Sequence, residues 1–153
     1  MASVSSGSSA SKQDDAKSRE ATTRLLEAAM SARANAYAPY SRYPVGAALR
    51  STGGQIFAGC NVENAAYPIG ACAEAGAIAA MVAAGHARIA EFLVVGGEDE
   101  MVTPCGACRQ RLREFAAPEV VVHCAKPSGM RTSYTVEALL PASFGPSHLR
   151  GPG

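Results

Sequence analysis

Cys72-Ala73-Glu74 and, further along, Pro104-Cys105-Gly106-Ala107-Cys108 decide how this chain is read. Each segment puts a cysteine at or next to the start of a predicted helix. Free backbone N–H groups and the positive end of the helix dipole favour a thiolate there. Cys105 and Cys108 stand three apart, about one helical turn, so both can face one centre, and Gly106 and Ala107 keep the turn small. A structural zinc normally takes four protein ligands, whereas a catalytic one takes three and leaves a position for water. Cys72, Cys105 and Cys108 are three candidate ligands. Glu74, two residues past the first, is placed for general acid–base work on that water. Alone, an acid in a first helical turn would only complement the dipole; beside three candidate ligands it reads as catalytic. The C-x-x-C pair is also compatible with thioredoxin-like redox chemistry, which would leave Cys72 and Glu74 unexplained.

Outward from these segments, helical and strand patterns alternate. Residues 1–13 are small and polar and are expected as a disordered tail. Asp14 and Asp15 offer N-cap chemistry for a helix over 14–35, with Leu25, Leu26, Ala29 and Met30 on its core face. Two short strands, 45–50 and 55–59, flank Thr52-Gly53-Gly54, a hairpin signal. Cys72 opens an Ala-rich helix that Gly85 closes. The run Phe92-Leu93-Val94-Val95 reads as a buried strand, followed by a helix from Cys105, strands at 120–124 and 132–135, and a short helix through Leu140. The order predicts an α/β fold, a three-layer α/β/α domain over 14–145 with a mixed five-stranded sheet and a flexible tail over 146–153.

The chain has 153 residues, enough for one domain with a real core, and its 48% hydrophobic and 18% charged residues are ordinary for a globular protein. A formal charge of +1 without a basic stripe argues against a nucleic-acid partner. No apolar stretch approaches the roughly 20 residues that span a bilayer, and the Ser-rich start lacks the apolar run of a signal peptide. A cytoplasmic location is the expectation. Cys60 and Cys124 lie at strand ends and read as small core residues. His86, His123 and His148 lack ligand spacing to any cysteine.

Five blocks together resemble the cytidine deaminases of the small, homotetrameric class with three cysteine ligands. They are Tyr40-Ser41-x-Tyr43-x-Val45-Gly46-Ala47-Ala48, Asn61-Val62-Glu63-Asn64-Ala65-Ala66-Tyr67, the two cysteine segments (the second continuing into Arg109-Gln110), and Leu139-Leu140-Pro141-x-x-Phe144. The resemblance runs from about residue 20 to Phe144. It implies zinc-dependent hydrolytic deamination of cytidine and 2′-deoxycytidine, with Cys72, Cys105 and Cys108 holding Zn²⁺ and Glu74 shuttling protons, as is general for zinc deaminases. It also implies that Asn61 and Glu63 bind the ribose 3′-hydroxyl, a role that a carboxylate and an amide suit. Tyr43 and Ala73 would line the base pocket. Phe144 would stack on the base from a neighbouring subunit of a homotetramer, and Tyr67 would reach the 5′ side across an interface.

In one respect the chain departs from the resemblance. The family often carries Arg directly after the catalytic Glu, against the zinc thiolates, whereas here Ala75 and Gly76 follow Glu74. Arg109, directly after Cys108, is then expected to tune the charge of the zinc site. Two rivals stay open: a deaminase of a modified cytosine nucleoside of the blasticidin S type, and a non-catalytic zinc module closed by Cys60 or Cys124.

Overall fold

A computed structural model describes residues 8–149, with side chains from 12 onward. Four helices, α1 (Ser8–Arg33), α2 (Ala73–Ala83), α3 (Gly106–Phe115) and α4 (Val136–Leu139), accompany five strands. The strands β1 (Gly46–Ser51), β2 (Ile56–Cys60), β3 (Ile89–Val95), β4 (Ala116–Ala125) and β5 (Arg131–Thr135) form one sheet in the order β2-β1-β3-β4-β5. β3 and β4 are parallel and every other pair is antiparallel, so the sheet is mixed, as expected. A parallel pair needs a long crossover, and α3 lies on it.

Side-chain alternation divides the core into two layers. Leu49, Phe92, Val94, Val122 and Cys124 face one side, against Ala77 and Met81 of α2, Leu112 of α3 and Leu139 of α4. Their neighbours Ala48, Leu93, Val95 and Ala125 face the other, against Leu25 and Ala29 of α1. Leu26 and Met30 pack at the margin of that second cluster. The result is the three-layer α/β/α arrangement.

α1 begins at Ser8 rather than at Asp14, so residues 8–13 of the expected tail belong to the helix. Between Gly7 and Pro39 the sequence holds no Gly or Pro, and Ala10, Lys12, Gln13, Ala16 and Lys17 are good helix formers. Asp14 and Asp15 therefore lie inside the helix instead of capping it. At the other end, Pro146–His148 forms a 3₁₀ turn within the expected flexible tail, and the His148 ring stacks on Phe144 with centroids 5.0 Å apart. Residues 1–7 and 150–153, the remainder of the two expected tails, lie outside the described residues.

Register fixes where the connections meet. Gly46 pairs with Cys60 on one side and with Val95 on the other. The segment entering β1 and those leaving β2 and β3 therefore share one edge of the sheet. α2 and α3 both start beyond that edge, after the segments that leave β2 and β3. Gly59 seats α2 there: a Cβ at this position would overlap the backbone of Ala77 and lie 2.6 Å from the carbonyl oxygen of Ala73. Any side chain at Gly59 would lift the helix whose first turn carries Glu74.

Candidate metal centre

Cys72 is the N-cap of α2 and Cys105 the N-cap of α3, both with extended backbone, and Cys108 sits in the first turn of α3. The three sulfurs all lie within 4.8 Å of one another, and Cys72 Sγ is 3.9 Å from Cys105 Sγ. Tetrahedral zinc with bonds of about 2.3 Å places its sulfur ligands about 3.8 Å apart, so this pair already stands at ligand spacing. Cys108 is buried, Cys72 half-buried and Cys105 exposed, which closes the centre on one side and leaves it open on the other. Three soft donors with one open side fit a zinc ion that keeps a position for water. Cys60, at the end of β2, and Cys124, in the core, are outside this group.

The thiols conflict with one another until a cation joins them. Burial pushes Cys72 above its usual value, and repulsion from Cys105 and Glu74 adds to this. Burial, then the charges of Glu74 and Cys72, drive Cys108 strongly upward. At Cys105 burial acts in the same sense, but hydrogen bonds from the Cys108 backbone and thiol outweigh it and leave the thiol lowered. A bound divalent ion removes the conflict, because a coordinated thiol is deprotonated outright.

Glu74 is buried in the first turn of α2. Burial raises its carboxyl above the usual range, against hydrogen bonds from its own backbone and Cys108 and against the charge of Arg111. A carboxyl shifted toward neutrality can both take and return a proton. It lines a cleft of about 300 Å³ together with Cys72, Cys105, Asn61, Glu63 and Thr103. Ala73 lines the same cleft.

Asn61 and Glu63 reach the cleft but are also braces for the segment that enters β1. Asn61 Oδ1 accepts from Val45 N at 2.9 Å and its Nδ2 donates to the Tyr43 carbonyl at 2.9 Å. Glu63 accepts from the backbone N–H groups of Tyr40 and Ser41 and from the Ser41 hydroxyl, which lowers its carboxyl pKa. Tyr43, expected in the base pocket, is not among the cleft's lining residues. Its ring lies along Gly96 and Gly97, and its hydroxyl accepts from Gly97 N at 3.2 Å. Val102 and Thr103, which the sequence reading missed, line the cleft instead. They come from the segment between β3 and α3, which lacks periodic pattern, and only the neighbouring Pro104-Cys105 pointed toward it.

Tyr67 is exposed and faces Tyr40, with centroids 5.8 Å apart, in a second cleft that shares Glu63 with the first. Phe144 is also exposed and outside both clefts, with its carbonyl held by Gln110 Nε2 at 2.9 Å. For Arg109, expected to tune the charge of the zinc site, the hydrogen bonds lie elsewhere. Its guanidinium donates to the Pro104 and Leu139 carbonyls and to Thr103 Oγ1, at 2.8 to 3.1 Å, and is taken up in bracing the chain. The cation against a thiol is Arg111, whose Nη1 lies 3.9 Å from Cys108 Sγ. One residue along a helix turns a side chain about 100° away, whereas three bring it back to the same face. That rule points from Cys108 to Arg111.

Comparison with known proteins agrees with this geometry. Residues 19–124 match the family described as the cytidine and deoxycytidylate deaminase zinc-binding region. The chain is 40% identical over 121 residues to a cytidine deaminase of Sporosarcina psychrophila, covering 79% of this chain and 89% of the relative. It is 38% identical over 127 residues to a probable cytidine deaminase of Dictyostelium discoideum, covering 82% of this chain and 85% of the relative. A crystal structure of cytidine deaminase from Burkholderia pseudomallei superposes with a TM-score of 0.76 at 43% identity, covering 80% of this chain and 98% of that one.

Proposed function

Because this chain belongs to the cytidine and deoxycytidylate deaminase family, we propose that it hydrolyses cytidine and 2′-deoxycytidine to uridine and 2′-deoxyuridine with release of ammonia. It is a hydrolytic deaminase and its cofactor is zinc, consistent with the three-sulfur cluster. The observation that carries the reading is a buried glutamate beside that cluster, in one cleft with it.

Cys72, Cys105 and Cys108 would hold the zinc, which would supply a Lewis acid able to make water nucleophilic near neutral pH. The other steps belong to this chain's residues. Glu74 accepts the proton of the water that adds to C4 of the base and passes it to the ring nitrogen. It carries the second proton to the exocyclic amine, the C4–N bond breaks, and ammonia leaves as the C4 carbonyl forms. Ala73 flanks the base. Asn61 and Glu63 hold the ribose with the hydrogen-bonding capacity that their loop contacts leave over. A carbonyl-bound amide nitrogen still has one free N–H, and a carboxylate has lone pairs to spare. Tyr43 acts from behind this loop, as a support for the segment that carries Val45.

The enzyme would work as a cytoplasmic homotetramer in pyrimidine salvage. Exposure of Tyr67 and Phe144, 72% and 57%, supports a covering partner at these rings. In that assembly Phe144 stacks on the base bound to a neighbouring chain, and Tyr67 reaches the 5′ side. Sedimentation at micromolar concentration tests the assembly, and Phe144→Ala should raise KM for cytidine more than it lowers kcat. The activity itself is tested by mixing the zinc-loaded protein with cytidine and following ammonia and the base's long-wavelength absorbance. Zinc-loaded protein inert on both nucleosides but active on blasticidin S would favour the modified-nucleoside reading.

A further inference from the structure

Three thiolates on one Zn²⁺ leave a formal net charge of −1. Electron-rich sulfur weakens the metal as a Lewis acid unless a cation or dipole draws charge away. α2 offers no cation: Ala75 follows Glu74, and the helix holds no Lys or Arg. α3 carries three arginines beyond Cys108, and the structure gives each a different partner. Arg109 holds the Pro104 and Leu139 carbonyls, and Arg113 Nε donates to Ser143 Oγ at 3.0 Å. Arg111 Nη1 faces Cys108 Sγ at 3.9 Å, one turn along the same helix face. Among the described residues the ion pairs are Arg50–Glu91 and His123–Glu91, so no carboxylate holds Arg111.

We propose that Arg111 is a positioning residue of this centre, withdrawing charge from the Cys108 thiolate and so keeping the bound zinc electrophilic. The inference rests on the zinc reading above and assigns the task to a residue other than Arg109, whose guanidinium is engaged by carbonyls and Thr103. The chemistry is electrostatic. A guanidinium beside sulfur lowers the energy of the sulfur lone pairs and makes them poorer donors to the metal. Part of Arg111 is in solvent, so screening holds the effect to a modest size. Its exposure also means that substitutions there leave the core untouched.

The test uses Arg111→Gln, which removes the charge, and Arg111→Lys, which keeps it, each loaded with zinc for kinetics and with cobalt(II) for spectroscopy. Arg111→Gln should move the sulfur-to-cobalt charge-transfer band to lower energy and reduce kcat about tenfold, with KM within about twofold. Arg111→Lys should stay near wild type in both measurements. An unmoved band in Arg111→Gln, whether kcat holds or falls equally in both variants, overturns the proposal and leaves Arg111 a packing or surface residue. A wild-type protein that binds neither metal overturns the zinc reading, and the proposal with it.

Discussion

Glu74 and Glu91 are both buried, at 4% and 8% exposure, on opposite sides of one sheet. Glu91 lies on the α1 side, where Arg50 Nη2 reaches it at 2.6 Å, His123 Nε2 at 2.9 Å and Thr22 Oγ1 at 2.9 Å. Burial pushes its carboxyl up, but hydrogen bonds to His123, Arg50 and Thr22 win and bring it down to about 2. Glu74 has no such set of partners, burial wins, and its carboxyl is raised. A buried carboxylate with its lone pairs satisfied is a fixed charge that ties elements together. A buried carboxylate left short of partners holds its proton more tightly than a free one, and can both take and return it.

The sharpest way to break this contrast is Glu74→Gln. The amide cannot shuttle protons, so kcat should fall about 10³-fold while zinc stays bound. The same change should stabilise the metal-free protein at pH 7. A raised carboxyl contributes stability that is full below its unfolded value near 4.5 and is lost as pH rises through the folded value. Gln removes that loss, and the gap from wild type should close below pH 4.5. A metal-free Glu74→Gln protein that melts earlier than wild type at pH 7 would show that Glu74 has a structural partner.

Glu91→Gln should do the reverse. A carboxyl lowered from 4.5 to about 2 corresponds to about 3 kcal/mol of stability. That stability is present above pH 4.5 and disappears as pH falls from there toward about 2. At neutral pH the variant should melt about 10 °C lower, and its acid unfolding should lose most of its slope in that window. Activity of the folded variant should remain within about twofold of wild type. A large fall in kcat without loss of stability would mean that the two faces of the sheet are coupled.

The two glutamates also differ in how visible they were in the sequence. Glu74 is read from a residue two positions before it and a motif that repeats the same chemistry downstream. Three sulfurs and a carboxylate at fixed spacing on two helix starts constrain one another before any fold is known. Glu91 sits in the strand Ile89–Val95, and its partners lie 69, 41 and 32 residues away. Nothing local announces them; only the register of β1, β3 and β4 under α1 brings them together. The layers themselves were legible, because the continuous apolar run Phe92–Val95 marks a strand buried on both faces and the helical spacing at Leu25–Ala29 names the face of α1 that must be buried. Arg111 falls between these cases. Its helical phase relative to Cys108 was readable, whereas the carbonyls that occupy Arg109 belong to α4 and to the segment before α3. The contacts of Tyr43 with Gly96 and Gly97 are tertiary in the same way.

Gly59→Ala probes the site side without touching its chemistry. The added methyl meets the backbone of α2, with Ala73 O at 2.6 Å and Gly76 C at 2.7 Å, where neither can yield as a side-chain tip would. Overpacking of this kind costs about 2 kcal/mol, and here it displaces the turn that carries Cys72 and Glu74. Both melting temperature and zinc retention against a chelator should drop. Loss of stability with zinc retention intact would show that the first turn of α2 is held by the metal rather than by the strand beneath it.

Thr22 gives the smallest and most specific test on the other face. Its hydroxyl has one hydrogen but two acceptors in range, Ser18 O at 3.0 Å and Glu91 Oε1 at 2.9 Å. The carboxylate should take it, because a charge-assisted bond to a buried anion is stronger than one to a helix carbonyl that already serves the backbone. Thr22→Val keeps the shape and removes the hydrogen, which should cost about 1.5 kcal/mol and raise the pH at which acid unfolding begins. Thr22→Ser should recover most of both. A Thr22→Val loss that leaves the onset of acid unfolding unmoved would place the hydrogen bond on Ser18 and leave Glu91 held by Arg50 and His123 alone. The charge would then belong to the sheet, with α1 resting on it through Leu25 and Ala29.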